Sequence, residues 1–143
     1  MEYQELAKLT VFILLIAFTI RFWPRWRKSF LSKYWPTAPG KVVSSALTKS
    51  GNDWIVEVTY SYEYRGRQLT SDVLTIFGVS IFSALTKKSA LNEVDFFYEG
   101  KVIDVYVNPQ DPKDAVVIPG FHWTQFVGFI AVELGLFYII FFY

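Results

Sequence analysis

Residues 9–23 of the chain read LTVFILLIAFTIRFW, and no charged residue occurs between Lys8 and Arg21. An α-helix rises about 1.5 Å per residue, so about 20 mostly apolar residues cross the roughly 30 Å hydrocarbon layer of a bilayer. Lys8 and Arg21 lie near the ends of this segment, where their long side chains can reach the headgroups. The pattern predicts a first transmembrane helix over residues 6–24, with Trp23 at the interface and Pro24 ending the helix.

A second apolar run, FVGFIAVELGLFYIIFFY, occupies residues 126–143 and carries one charged residue, Glu133. We predict a second transmembrane helix over residues 122–143, with Trp123 at its start. The composition agrees, because 52% hydrophobic residues, 20% aromatic residues and a mean hydropathy of +0.28 exceed what the core of a small soluble domain requires. The sequence therefore predicts a membrane protein whose two ends lie in lipid.

Between the two ends, residues 40–120 have the pattern of a soluble β-rich domain, reached through a basic juxtamembrane linker at residues 25–39. Residues 54–64 read WIVEVTYSYEY, in which aromatic and β-branched residues alternate with polar ones. This period of two predicts a strand with one buried face. Arg65 and Gly66 are expected to turn the chain into a second strand over residues 67–75, which completes a hairpin.

The remaining elements follow from turn and cap signals. After a turn-rich segment at residues 35–40, we expect a strand over residues 41–48, and Ser89 is expected to cap a short helix that Gly100 stops. This helix is predicted to bury Leu91, Val94 and Tyr98. Two further strands are predicted at residues 102–107 and 114–118. The apolar residues 76–84 are expected to cover a sheet edge, with the membrane surface as the alternative.

These elements define the expected fold class, membrane α+β. A two-helix transmembrane hairpin carries an inserted small, mostly antiparallel β-domain that contains a short helix. A cleaved signal peptide is the alternative for the first segment, but Glu2 and Glu5 stand where such peptides carry positive charge, and no small-x-small cleavage site follows.

Charge predicts the orientation. Between Arg21 and Lys41 there are six basic residues and no acid, whereas residues 42–121 carry seven basic and ten acidic residues. Positive charge beside a membrane helix marks the cytoplasmic side. The expected arrangement is a multi-pass protein of the cell (inner) membrane with a cytoplasmic β-domain and both termini outside. The net acidic domain disfavours nucleic acid as a ligand. The residues assigned to topology and lipid headgroups are Arg21, Arg25, Arg27 and Lys28, and the interface anchors are Trp23, Trp26 and Trp123.

Several motifs resemble a bacterial membrane family of unknown function, domain of unknown function number thirty-five ninety-two. The matching motifs are RWRK at residues 25–28, WPT at 35–37, GKVV at 40–43, YSYEYRG at 60–66, YEGKVIDVYVNP at 98–109, DP at 111–112 and PG at 119–120. The order of these motifs is more specific than any one of them. The resemblance implies a small β-domain between two membrane helices and implies no general activity. The departures in residues 76–84 and at Glu133 suggest a specialised partner.

Glu133 is the first candidate site residue, because an ionised carboxylate inside an apolar helix costs several kcal/mol. It is expected to face protein, either as a neutral carboxyl bonded to a hydroxyl such as Thr10 or as the partner of Lys8. Contact with a partner subunit or an ion path is the functional interpretation, and a helix–helix hydrogen bond is the structural one. Gly128, Ala131 and Gly135 form a small-residue strip that lets another helix approach closely. The first helix is its expected neighbour, and a homo-oligomer is a further alternative.

Other polar residues have simpler explanations. His122 is interpreted as an interface residue because no oriented partner for acid–base catalysis is visible. Asp104, Asn108, Asp111 and Asp114 do not match a calcium loop, and turns before proline explain Asn108 and Asp111 better. The aromatic face of residues 54–64 is expected to be core, although a partly covered face would suit a partner. No nucleophile motif, metal cluster or phosphate loop is present, so we expect no cofactor.

The sequence therefore favours a non-enzymatic interaction protein, an accessory subunit of a bacterial membrane protein complex whose partners are lipid and another membrane protein. A membrane immunity protein that neutralises a toxin is the alternative within the same class. A membrane enzyme or transporter component is the alternative from another class.

Overall fold

The computed structural model describes residues 2–51, 53–77, 87–121 and 123–142. The elements in chain order are α1 (Glu2–Ser32), β1 (Thr37–Ser50), β2 (Asp53–Tyr64), β3 (Arg67–Ser71), α2 (Lys87–Phe96), β4 (Val102–Val107), β5 (Ala115–Val116) and α3 (Trp123–Phe142). Two compact units result. The first comprises Met1–Lys28 and Phe121–Tyr143, and the second, here named the β-unit, comprises Ser29–Gly120.

The β-unit is built on one five-stranded sheet with the order β3-β2-β1-β4-β5. Each neighbouring pair is antiparallel. The expected antiparallel β-domain with a short helix is therefore confirmed. One face of the sheet forms the core, whose members include Val42, Val58, Tyr60, Tyr62 and Val105, each at most 2% exposed.

The β2–β3 hairpin has the structure that its sequence predicts. Val58, Tyr60 and Tyr62 are buried, whereas Glu57 and Glu63, on either side of this run, are exposed. Arg65 and Gly66 have φ angles of 51° and 74°, so both central residues of the two-residue turn are left-handed. Such a turn matches the right-handed twist of the strands that it joins.

β1 begins earlier than expected, and residues 37–40 are strand rather than turn. They pair with β4 from Thr37 opposite Tyr106 onward. The pairing of β1 with β2 begins at Gly40, which lies opposite Tyr62. Pro39 precedes this pairing, so the N–H that a proline lacks is not needed for a hydrogen bond to β2. Gly40 fits because an added Cβ would lie 2.5 Å from Val105 Cγ2. Local turn propensity was overridden here by long-range strand pairing.

α1 also departs from expectation, since it continues past Pro24 to Ser32. An interior proline removes one backbone hydrogen bond and strains the preceding turn, but it does not end a helix whose following residues are held elsewhere. Ser29 and Ser32, in the turn beyond Pro24, are both 0% exposed. Burial of this last turn in the β-unit therefore stabilises helix in a segment that was predicted to be linker.

The face that α2 buries is also different from the predicted one. Ser89 lies inside this helix, which the structure describes from Lys87, and not at a cap. The buried positions are Ala90 and Glu93, followed by Phe97 just beyond the helix, whereas Leu91 and Tyr98 are 41% and 59% exposed. Because each helical residue turns about 100°, a shift of one position selects another face. The predicted face of Leu91, Val94 and Tyr98 is therefore wrong, because burial of Phe97 in the core turns a different side of the helix inward.

Three smaller differences concern element lengths and the apolar segment. β3 ends at Ser71 and β5 comprises Ala115 and Val116, so both strands are shorter than predicted. The expected edge cover at residues 76–84 lies outside the described residues except for Ile76 and Phe77, which are half-buried. Among the described residues, one helical segment, Lys8–Ser32, is long and apolar enough to cross a membrane.

Candidate functional site

A ring of three hydrogen bonds joins the two ends of the β-unit. The Ser29 hydroxyl donates to the carbonyl of Gly120 at 2.6 Å, and the Gly120 amide donates to Ser32 Oγ at 2.8 Å. Ser32 Oγ in turn donates to the carbonyl of Ser29 at 2.7 Å. We name this group the serine junction. It satisfies both backbone groups of Gly120 in a buried place, where an unpaired group would be costly.

Local sequence explains the geometry of the serine junction. Ser29 and Ser32 are three residues apart, so they lie on neighbouring parts of one helix face. Gly120 has a φ angle of 87°, and an added Cβ would collide with the methylene carbons of Lys33. A glycine is therefore required both by the backbone conformation and by the close approach of the lysine stem. One weak signal for this junction is visible in the sequence, namely two small serines within a bulky basic segment.

Within the other unit, Glu133 of α3 contacts Thr19 of α1. Thr19 Oγ1 lies 3.4 Å from Glu133 Oε1 and 3.0 Å from the carbonyl of Leu15. A hydroxyl carries one proton, so the shorter bond to Leu15 is the stronger one. The partners expected from sequence are engaged within α1 instead, because Thr10 donates to the carbonyl of Leu6 and Lys8 pairs with Glu5. The hydroxyl that contacts Glu133 is therefore that of Thr19, which lies about two and a half helical turns beyond the expected Thr10.

The small-residue strip of α3 does not face α1. Gly128, Ala131 and Gly135 are exposed. Among the described residues, no atom lies within 4 Å of a Cβ built on Gly128 or Gly135. The expectation that α1 is the neighbour of this strip is therefore wrong, because Glu133, 100° or more away around the helix, faces α1 instead.

The predicted headgroup and interface residues have mixed environments. Arg21, Arg25 and Arg27 are exposed, whereas Lys28 is half-buried. Trp23 is 66% exposed. Trp26 packs against Phe121, with the ring centroids 4.7 Å apart. The side chain of Trp123 and the whole of His122 lie outside the part of the chain that the structure describes.

The aromatic face of β2 is core, and its hydroxyls fasten two loops. Tyr60 Oη lies 2.7 Å from the carbonyl of Val73 and 3.1 Å from that of Ala115, and the Tyr62 hydroxyl donates to the carbonyl of Pro112 at 2.7 Å. Burial raises the pKa of Tyr60 well above its ordinary value. Burial, together with the charges of the two nearby aspartates in the 111–114 loop, also raises the pKa of Tyr62.

The oxygen-rich residues after β4 serve turn geometry. Asn108 Oδ1 accepts the amide of Gln110 at 3.0 Å, and Asp111 Oδ1 accepts the amide of Lys113 at 3.3 Å. Asn108 Nδ2 also donates to Asp114 Oδ2 at 3.0 Å. These are Asx turns, in which the side chain takes the place of a backbone acceptor. The turn interpretation of Asn108 and Asp111 therefore matches their geometry.

A shallow groove of about 530 Å³ lies on the β-unit, lined by Lys41, Val42, Val43, Glu99 and Gly100. It sits beside the β-bulge between Val42 and Ser44. On the neighbouring loop, Lys101 Nζ lies 3.6 Å from the ring centroid of Phe96 and donates to the carbonyl of the same residue. One lysine and one glutamate of opposite charge give this groove no preference for an ion of either sign.

Comparisons with known proteins agree with the motif order. A family profile described as "Domain of unknown function (DUF3592)" matches residues 38–122, which is more than half of the chain. No curated protein and no solved structure matches the chain significantly. The matched region covers the whole sheet from the second residue of β1 onward and reaches the start of α3. The chain belongs to the DUF3592 family.

Proposed function

We propose that the protein is a non-enzymatic, integral membrane interaction protein, an accessory subunit of a bacterial inner-membrane complex. The observation that carries the proposal is the open small-residue strip of α3, formed by Gly128, Ala131 and Gly135. Lipid-facing helices gain nothing from such small residues, whereas a partner helix can approach closely over them.

A two-helix transmembrane hairpin is part of this proposal. α1 is long and apolar enough to cross a bilayer. α3 has 20 residues, which is the length that about 30 Å of hydrocarbon requires, and Glu133 is its one charged residue. The serine junction supports the hairpin, because it holds the last turn of α1 beside Gly120, from which the chain continues into α3. Because the end of α1 and the residue that leads into α3 are neighbours, both helices can enter the membrane from the same side.

The basic residues from Arg21 to Lys41 support a cytoplasmic β-unit with both termini outside. The turn at Gly51 is exposed, and no atom of the described residues lies within 4 Å of its Cβ position, so we expect it to tolerate an insertion. A reporter that is active only in the cytoplasm should therefore be active when inserted after Gly51. A silent reporter in a stably expressed fusion would contradict this orientation.

Glu133 offers a second, polar contact on the side of α3 that faces α1, 100° or more around the helix from the strip. Its 3.4 Å contact with Thr19 is long, so the carboxyl group retains capacity for a further hydrogen bond. A hydrogen bond between helices in a membrane contributes about 0.6 kcal/mol on average. Close packing over the glycines is thus expected to supply most of the affinity, and Glu133 to orient the partner.

Affinity purification of the full chain in mild detergent tests the proposal. The wild type should recover a second membrane protein in constant ratio. Gly128→Leu and Gly135→Leu should abolish its recovery, because the added side chains block close approach. Glu133→Leu should reduce recovery about threefold, the equivalent of one interhelical hydrogen bond. The matched control is Ile130→Phe, which adds bulk at an exposed position at least 100° around the helix from every member of the strip.

The outcomes separate the alternatives. Recovery of the wild-type chain alone, with Glu133→Ala fully functional, would overturn the proposal. Recovery that is equal for Gly135→Leu and Ile130→Phe would remove the strip from the docking surface. Co-purification of a membrane-acting toxin would assign the protein as an immunity protein instead, and turnover of a substrate by the purified chain would assign it as an enzyme.

A further inference from the structure

The last turn of α1 and the turn that follows it carry an exposed face. Phe30, Leu31 and Tyr34 are 59%, 43% and 75% exposed, and the rings of Phe30 and Tyr34 lie 6.1 Å apart. Lys33 in the same turn is exposed as well. We name these four residues the juxtamembrane face. Ser29 and Ser32, buried in the β-unit, lie on the other side of the helix.

We propose that the juxtamembrane face inserts into the headgroup layer of a leaflet that contains anionic phospholipid, and so holds the base of the β-unit against the membrane. The inference rests on the proposed membrane insertion of α1. It adds a lipid-binding surface that belongs to the β-unit itself.

Helix length places this face at the correct depth. With the hydrocarbon boundary at Trp23, the backbone of Phe30 lies about 10 Å farther along the helix. A headgroup layer begins at that boundary and extends several ångströms outward. Side chains of an α-helix point back toward its N-terminus, so the ring of Phe30 is directed toward the bilayer, and the Tyr34 ring lies 6.1 Å from it. Aromatic rings with one polar end are favoured at this depth.

Charge selects the kind of lipid. No acid occurs between Arg21 and Lys41, so the juxtamembrane face lies in a purely basic stretch, whereas residues 42–121 have an excess of three acids. Negative headgroups would attract the first region and repel the second. Each lysine or arginine near an anionic surface strengthens binding about fivefold. The stem of Lys33 lies over Gly120, which leaves its ammonium group to reach the headgroups.

The natural chain contains no cysteine, so single-cysteine variants can report depth without other changes. A nitroxide is attached to Leu31→Cys, Ile13→Cys or Thr48→Cys in the full chain, which is reconstituted in vesicles of phosphatidylcholine and phosphatidylglycerol. Ile13 reports the proposed span, and Thr48, exposed on β1, reports water. Collision with oxygen, which concentrates in lipid, is compared with collision with a water-soluble nickel chelate.

The label at Leu31 should collide more with oxygen and less with nickel than the label at Thr48, and the difference should shrink in pure phosphatidylcholine. If the label at Leu31 is as accessible to nickel as the label at Thr48 while the label at Ile13 is protected, the lipid-binding role of the juxtamembrane face is wrong. The proposed membrane span of α1 would remain valid. Low access to both reagents would show that protein covers the face, which also overturns the inference. Nickel access at Ile13 would overturn the span and the inference together.

A second measurement tests the lipid charge. The preference of the protein for spin-labelled phosphatidylglycerol over phosphatidylcholine should fall about fivefold in Lys33→Gln. Lys49→Gln, at the far end of β1, removes the same charge and should leave the preference unchanged. Equal effects of the two substitutions would contradict a specific role of the juxtamembrane face.

Discussion

Ser29 and Gly120 are 91 residues apart in sequence, and the hydroxyl of one donates a 2.6 Å hydrogen bond to the carbonyl of the other. The bond closes the β-unit at the point where both flanking helices attach to it. The stability of the β-unit is therefore expected to depend on small polar residues at its base as well as on its aromatic core.

Ser29→Ala should lower the free energy of unfolding of the β-unit by about 1–3 kcal/mol, because the Gly120 carbonyl loses its partner while it remains buried. Ser32→Ala should cost at least as much, since Ser32 accepts one bond of the junction and donates another. Chemical unfolding of the purified protein in detergent, followed by near-ultraviolet circular dichroism, measures both. The control, Ser44→Ala at an exposed position of β1, should stay within about 0.5 kcal/mol of the wild type. Equal stability of all three variants would contradict the role of the junction.

Gly120→Ala should destabilise the β-unit more than Gly66→Ala does. Both glycines have positive φ angles, 87° and 74°, so both substitutions carry a left-handed backbone cost of about 1–2 kcal/mol. Only at Gly120 would the new methyl group also collide with Lys33. When Lys33→Ala is combined with Gly120→Ala, the part of the stability loss that comes from the collision should disappear. The combination with Gly66→Ala should show no such recovery of stability. Thermal unfolding of the three single and two double variants tests this, and additivity in both pairs would rule out the collision.

Phe97→Ala should cost about 3–5 kcal/mol of stability, since Phe97 is 1% exposed in the core. The adjacent Phe96→Ala is the matched control, because Phe96 is 49% exposed and should cost about 1 kcal/mol or less. The same unfolding measurement distinguishes the two. A larger loss at Phe96 would contradict the burial of Phe97 in the core.

Alkaline pH should destabilise the β-unit through Tyr60. Its pKa in the folded protein is raised by burial, whereas the unfolded chain has the ordinary value of about 10. Above about pH 10 the unfolded chain releases this proton and the folded chain retains it. The free energy of unfolding should therefore be unaffected below that pH and fall as the pH rises through and beyond it. Unfolding curves between pH 8 and 11 measure the slope, and Tyr60→Phe should reduce it, at the cost of the bonds to Val73 and Ala115. An unchanged slope in that variant would contradict the assignment.

Several elements of the β-unit could be predicted from the sequence because their signals are local. The alternation along β2, the left-handed turn at Arg65 and Gly66, and the bounds of β4 are all present in the structure. The same holds for the Asx turns after β4. In each case neighbouring residues within one element carry the whole signal, namely a side-chain period of two or a turn residue at a fixed offset.

The sequence by itself determined the apolar character of α1, the composition of α3 and the buried aromatic face of β2, because these depend on which residues stand next to each other. Only the tertiary structure decided that α1 continues past Pro24, that β1 includes Pro39, that α2 buries Phe97, and that Ser29 meets Gly120. Each of these outcomes depends on a partner distant in the chain whose contacts outweigh a local preference of about 1–3 kcal/mol. A local pattern contains no information about that partner, and packing in the folded β-unit supplies it.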